Sequence, residues 1–218
     1  MNLKLTRRSL LSLAFALTAP LWLPQSWAAS EQVQELQNEW ARVKYEAPNE
    51  SKAEKFEALL KRADRYAAAA PQDLELRVWH GIIESSYAGA AGGLGALSHV
   101  KNARKDFEAV IAAQPNTLEG SALTSLGSLY YQVPGWPLSF GSDEKAHEYL
   151  MAGLKINPNG LDPNYFYGDF LFRRKDYVGA ERALRKAMAA PDRPNRALAD
   201  RGRRQEIEAL LEQIRAKK

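Results

Sequence analysis

The chain has 218 residues, and its 30 basic side chains against 26 acidic ones give a formal net charge of +4 at pH 7. It contains no cysteine, which excludes disulfides, thiolate metal sites, a catalytic thiol and a lipid-modified N-terminal cysteine. Alanine, leucine and charged residues dominate and runs of β-branched residues are absent, so the sequence predicts an all-α protein.

Residues 1–28 are predicted to be a cleavable export signal. Basic residues at Lys4, Arg7 and Arg8 precede an apolar run that begins at Leu10, and small residues follow up to Ala28. That order is typical of an export signal. Cleavage after Ala28 would leave a periplasmic chain of 190 residues, predicted to be a single helical domain, with 27 basic and 26 acidic side chains.

Two questions about this segment stay open at the level of the sequence. A membrane anchor is disfavoured, because the apolar run is shorter than the ~20 residues that a span needs and contains Pro20. The pair Arg7-Arg8 fits a twin-arginine signal, and the general secretory route fits the segment equally well.

Helices are predicted at both ends of the domain. Residues 31–45 form one, and residues 51–69 form a second, with Ser51 as N-cap and Glu54 completing a capping box. At the far end, residues 195–216 form a charged capping helix with an apolar stripe. Residues 173–218 hold 14 basic and 7 acidic side chains, and we interpret this excess as a solvated face rather than a site for nucleic acid or lipid.

A repeat runs through the middle of the chain. Three helical segments begin at a small alanine and end at a proline, at positions 103 to 115, 146 to 158 and 180 to 191. Before each lies a helix with a central glycine, at Gly81, Gly127 and Gly168. Glycine inside a helix costs about 1 kcal/mol relative to alanine, so we expect close helix packing at all three positions.

These pairs resemble the tetratricopeptide repeat. Leu126-Gly127 with Tyr130 matches the first half of its pattern, and the twelve-residue spacing from Gly168 to Ala180 matches an uninterrupted unit. His80 departs from the pattern, which usually has leucine there. The resemblance implies a helical-hairpin solenoid with three recognisable units, at about 72–115, 117–158 and 161–191.

Two units are longer than the repeat. The glycine-to-alanine spacing is 22 residues in the first unit and 19 in the second, so residues 85–100 and 132–143 are predicted to contain long loop insertions. Insertions at one phase of a repeat gather on one side, so we expect the loops to touch, with glycines of the first covering Trp136 and Phe140. A self-packed loop and a lid or partner surface remain the two alternatives for this pair of rings.

The sequence offers no sign of catalysis. The three histidines, His80, His99 and His147, lie in different segments without metal-binding spacing, and neither a phosphate loop nor a GxSxG motif occurs. The protein is therefore predicted to be non-enzymatic, with no metal and no cofactor.

The resemblance implies a ligand groove lined by the first helix of each unit. A merely solvated concave surface is the alternative. Taken from the repeat's offsets around each central glycine, the candidate groove residues are Glu75, Val78, Ile82, Ser85 and Ser86 in the first unit, Ser121, Thr124, Ser128, Tyr131 and Gln132 in the second, and Asp162, Tyr165, Asp169, Phe172 and Arg173 in the third.

The signal, the interrupted units and the long loops together resemble the periplasmic T components of TRAP-type solute transporters. That resemblance implies a protein that binds a small organic solute or hands it to a solute-binding transporter subunit. Members are often lipid-anchored, and this chain lacks the cysteine for that. The alternative is a periplasmic scaffold that binds peptide segments of envelope proteins; neither function calls for nucleic acid or a stable membrane span.

Overall fold

A computed structural model describes residues 31–217, and the predicted export signal lies outside them. The described part of the chain is helical and contains no strand, which confirms the all-α prediction. Its elements in chain order are α1 (Glu31–Tyr45), α2 (Asn49–Ala69), α3 (Leu74–Ala91), α4 (Ala96–Ala113), a 3-10 turn (Thr117–Gly120), α5 (Ser121–Gln132), α6 (Asp143–Ile156), α7 (Leu161–Arg173), α8 (Tyr177–Met188) and α9 (Ala197–Arg215).

Each helix packs against the next along the chain, and the pairs α3–α4, α5–α6 and α7–α8 make the most extensive contacts. The two members of a pair run antiparallel. Thr124 of α5 faces Gly153 of α6, and Gly127, one turn later, faces Leu150, one turn earlier.

The central glycines mark the points where paired helices come closest. A Cβ on Gly81 would lie 2.7 Å from the ring of Phe107, and a Cβ on Gly168 would lie 2.7 Å from Leu184. At Gly127 the nearest atoms would include the backbone nitrogen of Leu150 at 3.0 Å. The predicted reason for these glycines, close helix approach, is confirmed.

The first predicted insertion is mostly helix, not loop. Residues up to Ala91 continue α3 and residues from Ala96 begin α4, so the connection shrinks to a tight turn. Gly92 and Gly93 make that turn with φ of 64° and 69°, a region that side chains disfavour. The alanines of the inserted stretch favour helix, so the extra residues lengthen both helices.

The second insertion is a loop that directs one ring inward and the other outward. Its ends are joined by a hydrogen bond in which the backbone nitrogen of Gly141 donates to the carbonyl oxygen of Pro134 at 2.9 Å. Phe140 packs edge-on against Tyr130, with ring centroids 5.4 Å apart, whereas Trp136 is 90% exposed.

The expected packing of Trp136 and Phe140 against the glycines of the first insertion is wrong. No atom lies within 4 Å of a Cβ built on Gly89, Gly92, Gly93 or Gly95, so no ring packs on these glycines. The guanidinium of Arg104, from the body of α4, lies 4.9 Å above the Phe140 ring and takes the place expected for them.

The capping box predicted for α2 is also wrong. The helix begins at Asn49, and no side chain caps it. Pro48 occupies the N-cap position with φ of −56°, and the Ser51 hydroxyl donates to its carbonyl oxygen at 3.1 Å. Because the helix starts two residues earlier than predicted, Ser51 lies inside the first turn.

Helix α9 packs against both ends of the array. Its apolar stripe, which includes Ile207 and Ile214, belongs to the buried cluster of α7 and α8, while Ala199 belongs to the buried cluster formed by α1, α2 and α3. A Cβ on Gly202 would overlap the ring of Tyr45 in α1. The last helix therefore touches the first at a position where glycine is required.

Candidate functional site

Helices α1 and α9 cover two parts of the predicted groove. The indole Nε1 of Trp40 in α1 donates to the hydroxyl of Ser86 at 2.8 Å. At the other end, Arg203 of α9 donates to Asp162 at 2.9 Å, and its guanidinium lies 4.2 Å above the ring of Tyr165. Three of the sequence-predicted groove residues thus bind the chain's own helices.

Between these ends, four predicted groove residues form a polar cluster across α5 and α7. The Tyr131 hydroxyl donates to Asp169 at 2.8 Å and accepts from the side chain of Gln132 at 3.3 Å. Arg173 donates to the same Asp169 oxygen at 3.2 Å, and its guanidinium lies 5.2 Å from the Tyr131 ring centroid. We call Tyr131, Gln132, Asp169 and Arg173 the central cluster.

Burial controls the protonation of the tyrosines on this face. It raises the pKa of Tyr131 well above the ordinary value, and the adjacent Asp169 carboxylate raises it further. Burial likewise raises the pKa of Tyr165 to about 12, although Arg203 opposes the shift. Both phenols stay protonated at physiological pH, so Tyr131 holds its proton toward Asp169.

The other predicted groove residues of α5 leave few hydrogen-bonding groups for a ligand. Thr124 is 4% exposed and packs against Gly153 of α6, so it does not line an open surface. Ser121 and Ser128 are half-buried, and each hydroxyl donates to a backbone carbonyl three residues earlier, at 2.6 and 2.8 Å. Their protons are used within the helix, which leaves only acceptor lone pairs for a ligand.

A network of ion pairs beside this face was not predicted from the sequence. Asp162 accepts from Arg193 at 2.6 Å as well as from Arg203. Asp200 accepts from the backbone nitrogen of Arg193 at 2.8 Å and from its guanidinium at 2.6 and 2.8 Å. Arg203 also donates to Glu206 at 2.6 Å.

This network corrects the interpretation of the basic C-terminal region as a solvated face. Arg203 is 6% exposed and Asp200 is 1% exposed, so part of the charge serves to hold α9 in place. Burial alone would raise the pKa of Asp162, but Arg193 and Arg203 hold it well below its ordinary value. Alternation of charge along the sequence gave no signal of this pairing.

Two of the three histidines are held by carboxylates. His80 bonds to Asp106 at 2.6 Å and to Asp64 at 2.8 Å, and His99 bonds to the buried Glu84. His147 is exposed. Among residues 31–217, no group of three His, Asp or Glu side chains is arranged to hold a metal ion.

Two comparisons bear on identity and neither finds a relative. No protein-family model matches the chain, and no curated protein matches it at significant similarity. Across the described residues, no helix is both long enough and apolar enough to cross a membrane.

Proposed function

We propose that this chain is a non-enzymatic periplasmic binding protein of the tetratricopeptide type, which binds a small organic solute and works beside a TRAP-type transporter. The solute occupies the central cluster. The observation that carries the proposal is the set of Tyr131, Gln132, Asp169 and Arg173, which converge from two neighbouring helices at the middle of the predicted groove.

Size favours a small ligand over an extended peptide. A peptide lying along α3, α5 and α7 would need the whole face, but Trp40 bonds to Ser86 at one end and Arg203 bonds to Asp162 at the other. What stays accessible is the region of the central cluster, where Gln132 and Arg173 are exposed. A few charged and amide groups beside buried aromatic rings are typical of a small-molecule site.

The experiment is a thermal-shift screen of organic acids, amino acids and sugars against the purified protein, followed by calorimetric titration of each hit. A ligand at 100 times its Kd stabilises the folded state by about 2.7 kcal/mol, which raises Tm by several degrees. Arg173→Gln and Asp169→Asn are expected to weaken binding at least tenfold. Arg182→Gln, an exposed arginine of α8, is the control.

The proposal fails if no solute in the screen binds, or if every hit binds the Arg173→Gln and Asp169→Asn variants as tightly as the parent protein. Circular dichroism of each variant establishes that it is folded before binding is compared.

A second candidate function, a scaffold for envelope proteins, is favoured by one specific observation. Trp136 is 90% exposed and its neighbour Leu138 is 62% exposed, which is a large apolar area for a free loop. A photo-crosslinking residue at position 136 would test it, with the same residue at Val178, which is 70% exposed, as the control. A defined protein adduct formed in cells from position 136 alone would support the scaffold, and equal labelling from both positions would refute it.

A further inference from the structure

A small cleft lies between α1 and the start of α9, away from the central cluster. Its volume is about 260 Å³. One wall comes from α1 and the other from the first turn of α9, and the residues that matter here are Gln37, Ala41, Arg42, Arg196, Leu198 and Ala199.

Arg196 indicates that the cleft can bind an anion, because no carboxylate of the described residues is bound to its guanidinium. Within residues 31–217 the side chain makes no hydrogen bond or ion pair, and its buried Nε has no acceptor. The guanidinium carbon lies 5.0 Å from the ring centroid of Trp79. The carboxylates of Asp162 and Asp200 lie near it, but both are bound by Arg193.

Two further groups in the cleft have donors without acceptors. Gln37 is 7% exposed, and in the described part of the chain its side-chain amide makes no hydrogen bond, although it lines the cleft. Helix α9 has no side-chain cap at its N-terminus, and the residues of its first turn, Leu198 and Ala199, face the same space. Uncapped first-turn N–H groups favour negative charge.

The charges of the lining favour the same ligand. Arg42 and Arg196 are the charged residues of this cleft, whereas the larger open cleft beside it also includes Glu31, Glu35 and Glu39. Burial and the neighbouring Arg193 lower the pKa of Arg196 to about 10, although Asp162 and Asp200 oppose the shift. A bound anion would raise this pKa again.

We propose that this cleft binds a small organic carboxylate. The carboxylate group pairs with Arg196 and the first-turn N–H groups of α9, and the Gln37 amide donates a further hydrogen bond. The hydrocarbon part of the ligand packs on Ala41, Leu198 and Ala199. This site is separate from the central cluster and does not depend on the function proposed for it.

The test is calorimetric titration of the purified protein with succinate, and with uncharged succinamide as the matched ligand. Amide and guanidinium NMR spectra locate the site. Succinate is expected to bind, and succinamide is expected not to bind. The NMR chemical-shift changes on adding succinate should be confined to the first turn of α9, to Gln37 and to Arg196. Because Arg196→Gln removes the charged partner of the carboxylate, it should weaken binding at least tenfold.

Variants separate this site from the central cluster and from loss of folding. Gln37→Glu keeps the side chain's shape but places a negative charge against the ligand, so it should also weaken binding at least tenfold. Arg201→Gln, an exposed residue of the same helix, should change the affinity less than about twofold, and Arg173→Gln reports whether succinate binds at the central cluster instead. Thermal unfolding establishes that each variant is folded.

Several results would overturn the inference: no succinate binding, equal binding by Arg196→Gln and the parent protein, or shifts located elsewhere. Inorganic phosphate or sulfate binding as tightly as succinate would overturn the assignment to carboxylates. Loss of binding in Arg173→Gln with retention in Arg196→Gln would instead place the ligand at the central cluster.

Discussion

Replacing His80 by glutamine should make the stability of the protein less dependent on pH between 6 and 9.5. Burial alone would lower the pKa of His80, but bonds to Asp106 and Asp64 raise it from 6.5 to about 9. Because the folded-state pKa is the higher one, the stabilisation is fully present below pH 6.5. It is lost as the pH rises through 9.

The magnitude follows from the size of the shift. At 1.36 kcal/mol per pKa unit, a rise from 6.5 to about 9 corresponds to about 3 kcal/mol. The His80 side chain is 16% exposed, but that of Asp64 is 55% exposed, so solvent screens one of the two pairs. We therefore expect a loss of roughly 1 to 3 kcal/mol between the two pH values.

Urea unfolding followed by circular dichroism at 222 nm, at pH 6 and pH 9.5, measures this loss. The difference in unfolding free energy between the parent protein and His80→Gln should be large at pH 6 and nearly absent at pH 9.5. His147→Gln reports the effect of removing an exposed imidazole. If the difference for His80→Gln is the same at both pH values, the carboxylates do not hold a charged imidazole and the reasoning is refuted.

Three further predictions concern packing, charge and the exposed loop. Gly127→Ala should destabilise the protein by about 1 to 3 kcal/mol in chemical unfolding, because the added methyl group overpacks the contact with Leu150. Gly89→Ala, whose added Cβ meets nothing within 4 Å, should instead stabilise it by about 0.5 to 1 kcal/mol, and equal effects of the two variants would contradict the close helix approach at Gly127. Asp162→Asn should cost about 1.5 to 3 kcal/mol, because Arg193 and Arg203 would each lose one of two carboxylate partners while keeping Asp200 and Glu206. Asp192→Asn, whose side chain is 84% exposed, should cost less than about 1 kcal/mol, and an equally mild effect at both positions would show that the network contributes little to stability. Trp136→Ala should change Tm by less than about 2 °C, because the side chain is 90% exposed. A decrease in unfolding free energy above ~3 kcal/mol would mean that the ring is part of the core.

Periodic features of the sequence predicted the helices and their closest contacts. Glycines and alanines at fixed offsets have a direct steric consequence, so Gly127 could be assigned to a close contact before its partner was known. The spacing from Gly81 to Ala103 also predicted the length of the first insertion, but it did not predict the conformation of that insertion. Residues 85–91 contain glycine and serine, which suit a turn, yet packing against α4 keeps them helical.

The ion pairs of α9 lay beyond the reach of sequence patterns because their partners are distant along the chain. Asp162 and Arg203 are 41 positions apart. Helical periodicity describes neighbours within two turns, and it cannot tell an arginine that faces water from one that faces a buried carboxylate. The same limit concealed Arg196, whose significance comes from the acceptors that it lacks.

The glycine at position 202 has a consequence for how the molecule comes apart. In a linear array of repeats the terminal helices have one neighbour each, so fraying starts there and spreads inward. Here the terminal helices lie against each other, with Tyr45 on Gly202, and neither is a free end. Loss of α9 would expose the buried cluster of α1, α2 and α3 together with that of α7 and α8, so the two ends of the chain's helical stack should unfold as one cooperative unit.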